Sequence, residues 1–116
     1  MNYDNLPIYK SALDFCVYIE QIVKTFDKYH KYTLGEDLRN SSKEILFLIH
    51  RVNVAREKKD ILETLVFKCE ELKMIIQISK ELKLFKSFKQ FEHSSKQIVG
   101  ICKQSQSWYN HYARVS

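Results

Sequence analysis

The sequence predicts an all-α fold, an antiparallel up-down bundle of four helices, and three observations carry that reading. Apolar residues recur at three- and four-residue spacing along most of the chain, which marks one buried face per helix. Glycine occurs twice and proline once in 116 residues, too few for the tight turns of a sheet protein. The breaks in the apolar pattern are short, so successive helices must double back on one another. One domain spans residues 1–116, long enough to bury a core without staples, and it shows no internal repeat or linker.

The first helix should begin at Pro7, whose fixed φ and missing N–H suit the first helical position. Its core stripe is Ile8, Ala12, Phe15, Cys16, Ile19, Ile22, Val23 and Phe26, and the segment DKYHKY at 27–32 reads as the first loop. The second helix opens on Thr33-Leu34-Gly35-Glu36, a capping box in which Thr33 and Glu36 would satisfy each other's backbone N–H groups. Leu34, Leu38, Ile45, Leu48, Ile49, Val52 and Ala55 form its inner face. The charged run at 56–60 is the next turn, with Asp60 as the N-cap of a third helix that reaches about Leu82. That helix buries Ile61, Leu62, Leu65, Cys69, Leu72 and Ile76. A second capping box, Ser87 with Gln90, starts the fourth helix, whose inner residues are Phe88, Phe91, Ser95, Ile98, Cys102, Tyr109 and Tyr112. The ends, 1–6 and 113–116, are expected to fray.

No apolar run approaches the roughly 18 residues of a membrane span, and Asp4 and Pro7 interrupt any signal-like start, so the chain is expected to be cytoplasmic and without membrane contact. Cys16, Cys69 and Cys102 are odd in number, far apart and on apolar faces, and they read as small buried hydrophobes. The four histidines lack ligand spacing, so no metal or other cofactor is expected. Catalysis is not expected either. GxSxG, a phosphate-cradling glycine loop, HExxH and the Arg-to-His spacing of small helical RNA-cutting domains are all missing, and the neighbouring acids Glu36-Asp37 and Glu70-Glu71 point to different sides of their helices.

Charge and apolar patterning give the functional leads. Residues 1–82 hold 13 Lys/Arg and 13 Asp/Glu, whereas 83–116 hold six Lys/Arg against Glu92 alone, so the whole net charge of +5 lies in the last third. Lys89, Lys96 and Lys103 repeat every seven residues, and Arg114 continues their direction along a line of roughly 37 Å. Lys83 and Lys86 extend it, and Arg51, Arg56, Lys58 and Lys59 form a second basic group. Cations so spaced, with partner glutamates at i,i+4 nearly absent, suit a phosphate backbone, and fifteen lysines against four arginines favour phosphate contact over base readout. The rival reading is an ordinary solvated lysine face. Phe67, Met74 and Ile78 on the third helix, and Phe47 and Val54 on the second, fall opposite the core stripes at coiled-coil spacing. They are expected to form an interface between subunits.

Several segments together resemble a known family: PIYK at 7–10, YTLGEDLR at 32–39, LIHRVNVA at 48–55, ELKL at 81–84, SFKQF at 87–91 and the run from Gln104 to Trp108. They are similar to the accessory variability determinant of diversity-generating retroelements, and the likeness covers nearly the whole chain. The resemblance implies four-helix protomers assembled into a positively charged homopentameric barrel. Such a barrel binds a reverse transcriptase and RNA, and supports mutagenic cDNA synthesis and retrohoming. Within the matched segments it implies nucleic-acid contact at Arg39, Arg51, Lys83 and Lys89, while Arg56, Lys86, Lys96 and Lys103 rest on charge geometry. The YTLG element is shared with four-helix proteins of ribosomal-RNA intervening sequences, the second reading. There the second helix usually ends in an Asn-Ile-Ala-Glu-Gly-like run, in place of the Arg51-Val52-Asn53-Val54-Ala55-Arg56 seen here. A structural helical adaptor that binds an acidic protein and no RNA is the third.

Overall fold

A computed structural model describes residues 7–115, with Val115 described by its backbone alone. The chain forms α1 (Pro7–Val23), α2 (Lys28–Lys31), α3 (Leu34–Val54), α4 (Lys59–Glu81) and α5 (Phe88–Val115), and no strand occurs among the described residues. The four long helices make a bundle of 45 × 23 × 22 Å in which α1 packs on α3 and α5, and α4 packs on α3 and α5. Of the ends expected to fray, residues 1–6 and Ser116 lie outside the described residues, and 113–115 continue α5.

The core follows the apolar spacing closely in α1, α3 and α4. Every expected stripe residue of α1 is buried, as are Leu38, Ile45, Leu48, Ile49 and Val52 on α3 and Leu62, Leu65, Cys69, Leu72 and Ile76 on α4. Leu34, Ala55 and Ile61, near helix ends, are half-buried. In α5 the expected Phe91, Ile98 and Cys102 are buried and Ser95, Tyr109 and Tyr112 half-buried, while Phe88 is exposed and Ser94, Ile101 and Ser105 complete the inner face. Two serines serve as core residues because small side chains let helices approach. Ser94 Oγ donates to the carbonyl of Gln90 at 2.8 Å, and Ser105 Oγ lies 3.5 Å from Cys69 Sγ, so burial leaves neither hydroxyl unmet.

The helix starts depart from the sequence reading in three places. The segment 27–32 is not a plain loop: the Asp27 carboxylate accepts the N–H of His30 at 3.1 Å and nucleates the single turn of α2. The capping box at Thr33 does not form. That residue already closes α2, its N–H donating to His30 O at 3.3 Å and its hydroxyl to Tyr29 O at 3.1 Å, so the side chain is committed backwards. Helix α4 starts one residue before Asp60, which sits in the first turn, where its charge meets the positive end of the helix dipole. The Ser87 box does form, with its return bond shifted to the N–H of the preceding residue. Ser87 Oγ accepts the N–H of Gln90 at 3.3 Å, and Gln90 Oε1 accepts the N–H of Lys86 at 2.9 Å.

Gly35 lets α3 seat against its neighbours. A Cβ there would lie 2.7 Å from Val23 Cγ1 and 2.9 Å from the backbone oxygen of His30, so only glycine fits this approach of α3 to the end of α1. On α5, Gly100 has open space where a Cβ would stand.

Candidate nucleic-acid interface

Helix α5 turns its serine- and isoleucine-lined face to the core, which places Lys89, Lys96, Lys103 and Arg114 on the opposite, exposed side. Seven residues advance the helix 700°, so each lysine is displaced only about 20° from the last and the three stay on one line. None of Lys83, Lys86, Lys89, Lys96 and Lys103 lies within 4 Å of a carboxylate among the described residues. The cations of α4 contrast with them. Lys68 is held by Glu71 at 3.3 Å and Glu44 at 3.4 Å, and Lys73 by Glu70 at 3.1 Å; these partners raise both ammonium pKa values. The charge on α5 is therefore available to an outside anion, while that of Lys68 and Lys73 on α4 is spent within the fold.

The turn between α4 and α5 adds an aromatic element. Helix α4 ends with the Leu84 N–H on Ser79 O at 3.0 Å and the Lys83 N–H on Lys80 O at 2.9 Å, a Schellman motif that puts Lys83 at φ 61°. A lysine here works against a left-handed preference of roughly 1–2 kcal/mol. Beside it, Lys80, Lys83, Lys86 and Phe88 border a hollow of about 330 Å³, and Lys80 Nζ stands 4.8 Å from the Phe91 ring centroid. Phe88, expected in the core, is 65% exposed, because at the first position of α5 its ring swings outside the bundle end while Phe91 plugs it. Its ring centroid is 5.7 Å from that of Phe91. Sequence reading missed this hollow, although the alternation of lysine and phenylalanine from 83 to 91 was a signal for it.

The remaining basic candidates fall apart into different surroundings. Arg39 is half-buried between Glu20 at 3.6 Å and Glu36 at 4.0 Å and ties α3 to α1. Arg51 and Arg56 are exposed near the end of α3. Lys58 gives its protons to the carbonyls of Val52 (2.6 Å), Ala55 (2.8 Å) and Asn53 (3.4 Å), capping α3 with a positive charge at the negative end of its dipole.

The outward apolar residues stand where the spacing placed them. Phe47, Val54, Phe67, Met74 and Ile78 are all exposed, Phe47 at 61% and Phe67 at 65%. The Glu44–Lys68 pair fixes the register of α3 against α4, and in antiparallel helices it brings Phe47 and Phe67 within about one turn of each other. Among the described residues no group of three or more His, Cys, Asp or Glu is arranged to hold a metal, and no helix is long and apolar enough to cross a membrane. All three cysteines are buried and free. No protein-family model and no curated protein sequence matches the chain.

Proposed function

We propose that this protein is a non-catalytic accessory subunit of a reverse transcriptase in a diversity-generating retroelement. As a homopentamer it holds template RNA, and docks the polymerase, for mutagenic cDNA synthesis. The observation that carries the RNA part is the line of exposed lysines on α5 with no carboxylate partner among the described residues. Phosphates along an RNA strand meet such a line by displacing counterions, with little sequence discrimination. The Phe88 hollow adds a ring on which an unpaired base can stack. The exposed Phe47, Val54, Phe67, Met74 and Ile78 supply the contact between copies, and the sequence resemblance supplies the number five and the polymerase.

Binding of a single-stranded RNA, titrated from ~0.05 to ~0.3 M salt, tests the reading. Affinity should fall steeply with salt, and the combined reversal Lys89→Glu, Lys96→Glu, Lys103→Glu should abolish it with helicity intact. Salt-insensitive binding, or binding unchanged in that variant, removes the stripe. A protein that binds acidic proteins and no RNA would be the helical adaptor instead.

A further inference from the structure

We infer that the cleft at the far end of the bundle from the Phe88 hollow receives one unpaired base of the bound RNA; this rests on the RNA-binding reading above. The cleft, of about 470 Å³, opens where the start of α1, the end of α3 and the last turns of α5 meet, and its walls include Pro7, Asn53, Lys58, Gln104, Trp108 and Tyr112. That volume lies in the range of small-ligand clefts, about 300–1,000 Å³.

Three features select a base over other occupants. The Trp108 and Tyr112 side chains, half-buried against the core, present ring surface on which a flat heterocycle stacks. The amides of Asn53 and Gln104 bring both donors and acceptors to its edge, the pairing chemistry that reads base edges. Asn53 spends one N–H on Ile49 O at 3.2 Å, which fixes the amide and leaves its oxygen and second N–H available. The electrostatics fit an anionic ligand: among the described residues no Asp or Glu lines the cleft, the capping ammonium of Lys58 does, and exposed Arg56 lies in the loop beside it. Lys103, the last lysine of the stripe, lies one residue's rise from Gln104 and about 100° around the helix from it, so a strand leaving the stripe reaches the cleft by turning around α5.

Trp108 is the chain's one tryptophan, which makes its emission a direct report on the cleft. The full-length protein would be titrated with an unpaired RNA oligonucleotide, a fully paired hairpin, and an abasic oligonucleotide of the same length. Binding would be followed in parallel by anisotropy of a label on the RNA. The expected result is strong quenching of Trp108 by the unpaired RNA alone, with the other two binding through phosphates and leaving the emission unchanged. Tyr112→Leu, which keeps apolar volume but removes a ring, should weaken unpaired RNA about tenfold and leave the abasic oligonucleotide unaffected. RNA binding with Trp108 silent overturns the cleft and leaves the stripe standing. No RNA binding at all overturns both. A Trp108 emission that shifts with protein concentration, RNA being absent, assigns the cleft to a second copy of the chain and also overturns the proposal.

Discussion

Along α3, helix α1 is closed tightly. Gly35 admits the Val23 side chain, Cys16 Sγ donates to the carbonyl of Ser42 at 3.1 Å, and Arg39 reaches across to Glu20. Along α5, the same helix meets a looser partner. A long hydrogen bond of 3.5 Å joins Gln104 to Ser11, Gly100 faces open space, and Gln104 borders both the large cleft and a smaller one of about 240 Å³. The difference follows from composition. The α3 flank interlocks apolar side chains with a glycine, whereas α5 offers α1 Gln97, Gly100 and Gln104, which leave gaps. The closed flank holds the fold, and the open one lies beside the free charge of α5, where a ligand can enter.

Substitutions on the two flanks should separate along that line. The largest effect belongs to the open side: Lys89→Glu, Lys96→Glu and Lys103→Glu together should weaken RNA more than ~100-fold at ~0.1 M salt, with an unchanged circular-dichroism spectrum. Next comes the seal. Gly35→Ala forces a methyl against Val23 and the His30 carbonyl and should lower unfolding stability by about 2 kcal/mol in urea. Gly100→Ala meets nothing and should raise it by about 0.5–1 kcal/mol. If both glycines respond alike, the two flanks do not differ as described. Lys83→Gly sharpens the contrast between fold and charge. Relief of the left-handed backbone should add about 1 kcal/mol of stability while RNA affinity drops severalfold, read by melting and anisotropy on one sample.

The smallest effect concerns the latch behind Gly35. Asp27 is held below the usual carboxylate range by the His30 side chain first and by the His30 backbone N–H second. A carboxyl depressed in the folded state stabilises it above the ordinary pKa of about 4 and loses that contribution as pH falls through the folded value. The melting temperature of Asp27→Asn, which keeps the cap but cannot titrate, should therefore depend less on pH than the parent's between about 5 and 2.

Apart from this comparison, the proposed subunit interface is open to light scattering. Phe47→Asp with Phe67→Asp should reduce the solution mass to that of one chain.

Much of the bundle was legible because periodicity reports burial directly, and α1 matched it residue for residue. Helix starts were less so, since a capping signal describes what a side chain is able to do and not what competes for it. Ser87 had no rival and formed its box, while Thr33 was already taken by the turn before it. The spacing put Ser95 in the α5 core, where Ser94 and Ser105 are the buried serines, because close packing of helices favours small residues of either polarity and apolar spacing does not locate them. The direction of the α5 lysines could be read from a seven-residue repeat on one helix. The cleft could not, because it joins residue 7 to residues 53, 58 and 104–112, and that conjunction exists only after folding.

The burial of Cys16, Cys69 and Cys102 on three different helices has a practical consequence. Desolvation raises the Cys16 thiol, and the Cys69 side chain together with burial raises Cys102, which keeps these two sulfurs protonated as well as hidden. The native protein should be nearly inert to maleimides, so a single cysteine introduced on its surface would take a label at one site. Under mild denaturant, the rate at which the three native thiols become reactive would time the opening of the bundle, helix by helix.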